Sequence, residues 1–331
     1  VRGGTAALKD STRMSNRPTA SADPIVSVVV AAFNVEDYLD EALFSIRRQS
    51  LAAMEILIVD DGSTDATPAI LARHASQDPR IRSLVGAGRG PGAARNVAMR
   101  QARGRWIAIV DGDDLVAPDR MARLVAEGED HAVDAVADNM IAFYDSEKVA
   151  DHAWIDAGSW PAARALTFAD LMAGGLGQPP APELGYLKPL LRRERLAELG
   201  GLYQEALMIG EDFDLMARWT AAGFSYRYVP DALYRYRRRA SSLSYRLSAD
   251  QIDQMIAALA SLYVGGGEME ASLVARIQAL KDLRLYARRV ERLKRGDLTA
   301  LAPLLVDHDY RRRLAGSFAE GMMRRLRARR Q

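Results

Sequence analysis

The sequence predicts an α/β fold: a mostly parallel sheet flanked by helices, with a helical extension at the C-terminus. Three observations predict it. Short β-rich runs at Ile25–Ala32, Glu55–Asp60 and Trp106–Val110 are each followed by a polar turn and then an amphipathic stretch, the pattern of successive βα units. Two of the runs stop abruptly in acidic turns, Asp60-Asp61-Gly62-Ser63 and Asp111-Gly112-Asp113-Asp114. From Ala249 onward the chain reads as helical throughout, with Leu273, Ile277, Leu280, Ala287 and Val290 on one face.

The elements follow in order. A helix is expected over Glu36–Arg48, a second over Ala66–Ser76, a strand over Arg80–Val85 and a helix over Gly92–Ala102. Pro118 then opens another helix, as proline does at a first helical position. The alternation of strand and helix indicates a sheet covered by helices. Ala132–Tyr144 reads as strand, and Asp145–Pro182 as loop with short helices. Gly210-Glu211-Asp212 opens a helix over Phe213–Ala222. Tyr226–Arg239 reads as strand, turn, strand.

Composition narrows the class. At 331 residues, with 49% hydrophobic and 27% charged, this is ordinary globular composition, and the length suits about two domains or one large one. The absence of cysteine excludes disulfides and thiolate metal sites. The four histidines form no zinc-type pair. The net charge of +2 gives no reason to expect a nucleic-acid partner. No apolar run approaches the ~20 residues of a membrane-spanning helix. Residues 1–24, polar and rich in Ser, Thr and Ala, read as a disordered leader.

The candidate chemistry lies at the strand ends. Asp111, Asp113 and Asp114 sit within four residues. Carboxylates that close repel unless a cation or protons neutralise them, and a divalent metal held with substrate phosphates is one resolution. An acidic turn that merely caps the next helix is the other. If the strands are parallel neighbours, Asn34, Asp61 and Asp113 line one crevice at the carboxyl edge, where open α/β sheets bind ligands. Arg95-Asn96 follows a glycine-rich loop at a helix start, where backbone N–H groups and a guanidinium would favour a pyrophosphate. The alternative is a surface arginine on an amphipathic helix. Glu211-Asp212 can be a general base at the crevice or acids that complement a helix dipole. Arg235, Arg237, Arg238 and Arg239 can close over phosphates or form a solvated face.

Together, VSVVVAAFN, ILIVDDGSTDAT, GAARNVAMRQARGRWIAIVDGDDLVAPDR and GEDFDLMARW resemble the inverting family-2 glycosyltransferases of the GT-A fold, over residues 25–245. The resemblance divides the chain into a nucleotide-sugar-binding half at 25–130, an acceptor-binding half at 131–245 and a helical extension at 246–331. It implies that Ala31, Phe33, Asn34 and Asp61 hold the nucleotide, and that Asp111 and Asp113, with Asp114 adjoining, bind Mn2+ or Mg2+ on the donor diphosphate. Arg95 and an arginine near Arg237 would assist, and Asp212 would be the catalytic base. The family's proline one residue before the aromatic-Asn pair is absent, the residues there being Ala31 and Ala32. The Q-x-x-R-W mark of processive relatives is also absent, and Arg218-Trp219 lies inside the Glu211-Asp212 helix.

The implied reaction is transfer of a sugar, UDP-linked in expectation, to a hydroxyl of a saccharide acceptor in bacterial exopolysaccharide or surface-glycan synthesis. A metal-dependent nucleotidyltransferase and a non-catalytic binding protein of the same fold are the rival readings. Trp154, Trp160 and Tyr186 are candidates for stacking on sugar rings, or are buried aromatics, and Pro179-Pro180 with its neighbouring glycines suggests a mobile loop. Tyr310–Gln331 combines Leu314, Phe318, Met322, Met323 and Leu326 with Arg311, Arg312, Arg313, Arg324, Arg325, Arg327, Arg329 and Arg330. Such a basic amphipathic segment suits an anionic membrane surface. A cytoplasmic enzyme, peripheral at the inner leaflet beside a lipid-linked acceptor, is the resulting expectation, with a homodimer through the C-terminal helices as the other use of that region.

Overall fold

The computed structural model describes residues 23–145, 149–175, 181–239 and 247–305. Its centre is one sheet whose first four strands are β1 (Val26–Ala32), β2 (Met54–Asp60), β3 (Ile81–Val85) and β4 (Trp106–Asp111). They lie in the order β3-β2-β1-β4, all parallel. Val28, Val29, Ile56, Leu57, Ile107 and Ala108 are fully buried, so β1, β2 and β4 are covered on both faces, as parallel sheets require, while edge strand β3 is partly exposed. Helices α1 (Leu39–Arg47), α2 (Thr67–Gln77) and α3 (Pro91–Met99) make the crossovers. Register sets Ala31 level with Asp111, and Ala32 level with Asp60. The strand ends that carry the acidic turns therefore share one edge, and alanine at positions 31 and 32 leaves the strand paired to its last residue.

Beyond β4 the order becomes irregular. The short β5 (Leu115–Val116) precedes α4 (Arg120–Asp130) and β6 (Ala135–Phe143). Two-residue strands β7 (His152–Ala153) and β8 (Arg164–Ala165) lead to α5 (Phe168–Ala173). Then come β9 (Leu190–Arg192), α6 (Arg193–Glu198), α7 (Glu211–Ala221) and β10 (Tyr226–Arg237). The order continues β4-β9-β6-β10-β5, with β9 antiparallel to both neighbours and β10 parallel to β6.

Two expectations need correction, and one strand has no counterpart among them. Pro118 does not open a helix: α4 begins at Arg120, and Pro118 lies in the preceding turn, its carbonyl accepting from Ser50 N at 2.7 Å. Tyr226–Arg237 is one strand rather than a strand, turn, strand unit. Its register with β6 slips at Val229/Ala232 and again at Ala232/Tyr234, so Pro230 and Asp231 form a bulge, a place where a strand tolerates proline. Leu190–Arg192, inside a stretch without clear periodicity, is a central strand of only three residues.

The C-terminal extension packs α8 (Ala249–Ala260) and α9 (Gly267–Lys294) against α7 and α5, followed by a 3-10 helix over Leu298–Leu305. Leu273, Leu280 and Ala287 are buried, while Ile277 and Val290 are only half-buried. Among the described residues no helix is long and apolar enough to cross a membrane. Residues 1–22, Pro179-Pro180 and Tyr310–Gln331 lie outside the described residues.

Candidate active site

The carboxyl edge opens into a cavity of about 680 Å³. Ala31, Phe33, Asp61, Arg95, Asp111, Asp113, Asp212 and Arg237 all line it. Asn34 and Asp114 do not. Asn34 adopts φ 49° and accepts from Thr64 N at 2.8 Å, while its own N–H donates to Ser63 Oγ at 3.0 Å. It ties the β1 loop to the β2 loop, because a short amide side chain in the left-handed region is best placed to bond a neighbouring turn.

Asp61 sits where β2 ends. Its Oδ1 accepts from Gly88 N at 2.9 Å and its Oδ2 from Gly90 N at 2.8 Å. Both glycines have positive φ, and a Cβ on Gly86 would lie 2.3 Å from Asp61 Oδ1. The glycine-rich loop is thus wrapped on a carboxylate. Two of the N–H groups expected to meet a pyrophosphate are already engaged.

The three acids at the end of β4 have separate roles. Asp111 Oδ1 pairs with Arg95 Nη2 at 2.6 Å and its Oδ2 with Lys188 Nζ at 2.8 Å. Burial pushes this carboxyl up, but Lys188 and Arg95 outweigh it and hold it well below the usual range. Asp113 Oδ2 meets Arg239 Nη2 at 2.6 Å. Burial nevertheless leaves its pKa raised, with Arg239 opposing and Asp111 adding to the rise. Asp114 is fully buried and turned inward: Oδ2 accepts from Tyr234 OH at 2.7 Å and Oδ1 from Arg237 N at 2.7 Å. Burial, then Asp113 and Asp111, push it well up. Asp114 thus lies outside the cavity wall and fastens the β4 turn to β10.

Glu211 and Asp212 form the first turn of α7, after Gly210 at φ 82°. The helix N-terminus favours their charge. Glu211 Oε1 accepts from Arg95 Nη1 at 2.8 Å. Asp212 Oδ1 accepts from Tyr203 OH at 2.8 Å and from Arg95 Nη1 at 3.3 Å, and Oδ2 from Lys188 Nζ at 2.6 Å. Burial raises the Asp212 pKa, yet Arg95 and Lys188 outweigh it, so the carboxyl lies below its ordinary value and is ionised at neutral pH. Arg95, 3% exposed, is not a surface arginine, and it lines the cavity. Its guanidinium is committed to three carboxylates. Arg237 is likewise occupied, by Glu41 Oε2 at 2.6 Å, by Asp145, and by the Asp113 carbonyl at 2.7 Å.

The sequence does not single out Lys188, Tyr203 or Arg239. Lys188 carries a faint signal, a lone charge within Leu187-Lys188-Pro189-Leu190-Leu191, where it precedes the buried strand β9. Tyr203 lies in an irregular segment, and Arg239 is one of four nearby arginines with nothing local to rank them. Of the candidate stacking aromatics, Tyr186 lines the cavity together with Tyr236, and Trp154 packs behind both with ring centroids 4.8 and 5.9 Å away. Trp160 packs on Tyr228 instead. The far wall comes from the C-terminal helices, through Met255, Leu280 and Leu283.

Residues 27–172 match the family model described as glycosyl transferase family 2. The succinoglycan biosynthesis protein ExoO of Rhizobium meliloti is 34% identical over 320 residues, 95% of this chain and 90% of that protein. ExoU of the same organism is 35% identical over 231 residues, 68% of this chain and 66% of that protein. Among solved structures, TarS 1–349 of S. aureus in complex with UDP-GlcNAc superposes with a TM-score of 0.62 at 21% identity, over 77% of this chain and 72% of that one. The mannosyltransferase PcManGT of Pyrobaculum calidifontis, in complex with GDP-Man and Mn2+, gives 0.57 at 20% identity, over 88% of this chain and 83% of that one. With a parallel sheet that gathers its acidic strand ends at one edge, and with one relative that matches nearly end to end and another over two thirds of the chain, the chain belongs to glycosyl transferase family 2 and is a glycosyltransferase of the GT-A fold.

Proposed function

We propose that this enzyme transfers a sugar from a nucleoside-diphosphate sugar to a saccharide hydroxyl in a single displacement that inverts the anomeric carbon, with Asp212 as the base. The observation that carries this reading is the open position on Asp212. An ionised carboxylate has about four acceptor sites. Tyr203 and Arg95 fill Oδ1 and Lys188 takes one site on Oδ2, which among the described residues leaves one acceptor site on Oδ2 of a residue that lines the cavity. An acceptor hydroxyl bonded there gives its proton to Asp212 as its oxygen forms the new bond to the anomeric carbon. The bond from that carbon to the diphosphate oxygen breaks, and the nucleoside diphosphate leaves with the electron pair. No enzyme nucleophile is needed.

A divalent cation fits this site. Asp113 lines the cavity, where a cation would share it with the substrate's phosphates, the usual arrangement for Mg2+ and its like; among the described residues no group of three or more His, Cys, Asp or Glu could hold a metal alone. Asp113, in the cavity wall with an ion-paired Oδ2, is the carboxylate we assign to it, with Asp111 alongside. When bound, the cation would neutralise charge on the departing diphosphate. Asp61 and the Ala31–Phe33 strand end would hold the nucleotide. UDP is our preferred nucleotide, supported by the UDP-GlcNAc complex of TarS, although PcManGT binds GDP-Man. The near end-to-end match to a succinoglycan biosynthesis protein supports exopolysaccharide synthesis as the setting. The arginine-rich segment Tyr310–Gln331 supports peripheral attachment to an anionic membrane. Co-sedimentation with anionic but not neutral vesicles tests that attachment.

The reaction is tested by incubating the protein with Mn2+ and a panel of UDP- and GDP-sugars and measuring released nucleotide, with and without EDTA. Asp212→Asn should keep UDP affinity and lose ~10²–10⁴-fold in turnover. Normal turnover in that variant, or pyrophosphate as the product, would overturn the reading.

A further inference from the structure

We propose that Lys188 is a positioning residue: with Arg95 it clamps Asp111 and Asp212 along both edges, so that the open lone pair of Asp212 Oδ2 faces the reacting centre. This rests on the function proposed above for Asp212. Arg95 contacts Oδ1 of Asp111 at 2.6 Å and Oδ1 of Asp212 at 3.3 Å. Lys188 Nζ contacts Oδ2 of Asp111 at 2.8 Å and Oδ2 of Asp212 at 2.6 Å. The same two acids are thus bridged twice, on opposite oxygens, by two cations. Lys188 adds a second positive charge beside Arg95, which alone faces the three carboxylates of Asp111, Glu211 and Asp212, and it adds geometry as well. Two bridges do what one cannot: they prevent each carboxylate from rotating about its Cβ–Cγ bond.

The rest of the fold holds Lys188 for this task. Strand β9 runs antiparallel to β4 with Leu190 level with Ala108, which carries Lys188 to the edge where Asp111 lies. Its carbonyl accepts from Arg120 Nη2 at 2.5 Å, and Arg120 is fixed by Asp138 at 2.7 Å, both of them fully buried. A lysine stem is flexible when free. Here it is anchored at the backbone and at the ammonium, with only 6% of the residue exposed. Lys188 also joins the two sides of the site, since Asp111 belongs to β4 and Asp212 to α7.

The test compares Lys188→Met, Lys188→Ala, Asp212→Asn and the double variant Lys188→Met/Asp212→Asn. Affinity for UDP with Mn2+ is read by calorimetry, turnover by nucleotide release from the UDP- and GDP-sugar panel, and carboxylate geometry from a crystal structure of Lys188→Met. The expected result is UDP affinity within roughly threefold of the parent and kcat lower by ~10²-fold or more with little change in donor KM. Lys188→Met should then cost nothing further when added to Asp212→Asn, since residues that act as a unit are not additive. Ethylammonium should restore part of the turnover of Lys188→Ala, and propanol should not. In the crystal structure the Asp212 carboxylate should be rotated or split between conformers.

Parental kcat in Lys188→Met, additive losses in the double variant, or an undisturbed Asp212 carboxylate would each overturn the inference. If Lys188→Met does not fold, the double variant, which removes one charge of each sign, supplies the comparison against Asp212→Asn. Parental turnover in Asp212→Asn sinks the base assignment, whereas an inactive Asp212→Asn beside an active Lys188→Met sinks this inference alone. A chain that turns over no donor fails the proposed function, and the carboxylate geometry still decides the role of Lys188.

Discussion

The two halves of the sheet bury different things. Strands β1, β2 and β4 bury almost only apolar side chains and place their acids at the ends, where Asp61, Asp111 and Asp113 reach the cavity. The β9-β6-β10 half buries charge within the core: Asp138 with Arg120, Lys188 with two acids, and Asp114 under Tyr234 and the Arg237 amide. The first half can form from local hydrophobic pattern. The second needs partners brought together from distant segments, because a buried charge is tolerable only when it is paired. The site lies on the seam between them, so it inherits ligand-facing acids from one side and their fixed counter-charges from the other.

Neighbouring acids at the seam give the sharpest test of that division. Asp113→Ala should abolish metal-assisted transfer, with a loss of ~10²-fold or more if the cation acts as assigned, and leave thermal stability unchanged. Asp114→Ala should do the reverse: it orphans the Tyr234 hydroxyl and the Arg237 amide, and costs roughly 2 kcal/mol in stability. Denaturant titration beside a nucleotide-release assay distinguishes them. Equal effects of the two substitutions on both readouts would dissolve the distinction between cavity acid and core acid.

The largest effect on stability is expected at Arg120. Arg120→Met leaves Asp138 buried without its partner, which should cost about 3–5 kcal/mol. Arg120→Met/Asp138→Leu should recover most of that loss, because a well-packed apolar pair is close to neutral in place of a buried ion pair. Recovery of stability without recovery of turnover would separate the pair's share in folding from its hold on the Lys188 carbonyl.

This division also explains what could be read from the sequence. The βα units were legible because a strand's apolar run and its terminal turn are local signals, and the run Val26–Ala32 suffices without any knowledge of its neighbours. The strand-end acids Asp61, Asp111 and Asp113 and the helix-start acid Asp212 follow from those boundaries, and all of them line one cavity. Direction within a turn was not legible. Asp113 and Asp114 are adjacent in sequence, yet one faces the cavity and the other the core, and only β10 decides which. The three carboxylate partners of Arg95 were not legible because they lie 16, 116 and 117 residues away. Lys188 and β9 were obscured for the same reason: three residues between two longer strands carry too little pattern to announce a strand.

In the apolar half the corresponding test is Leu57→Ala, in fully buried β2. It should cost roughly 3 kcal/mol by cavity formation, with turnover at saturating donor unchanged in the folded fraction. A change in kcat larger than the change in folded population would mean that the first half is more than a platform.

The smallest expected effect tests the charge buried within strand β2. Glu55, at 3% exposure, accepts at Oε1 from Ser27 Oγ at 2.6 Å and Arg103 N at 2.7 Å, and at Oε2 from the Arg103 guanidinium at 3.0 Å. Burial pushes its carboxyl up, but these hydrogen bonds outweigh burial and lower it below the ordinary 4.5. Glu55→Gln keeps the shape and sets an amide N–H against an arginine N–H, a loss of about 1–2 kcal/mol for a hydrogen bond to a charged group, trimmed by solvent because Arg103 is largely exposed. A carboxyl that is lowered in the folded state contributes stability that is fully present above its unfolded value and is lost as the pH falls through the folded one. The gap between parent and Glu55→Gln should therefore be constant near neutral pH and close as the pH drops below 4.5. Denaturant midpoints measured across that range decide it. A gap independent of pH would mean that Glu55 contributes by shape alone, and the apolar half would then owe nothing to charge.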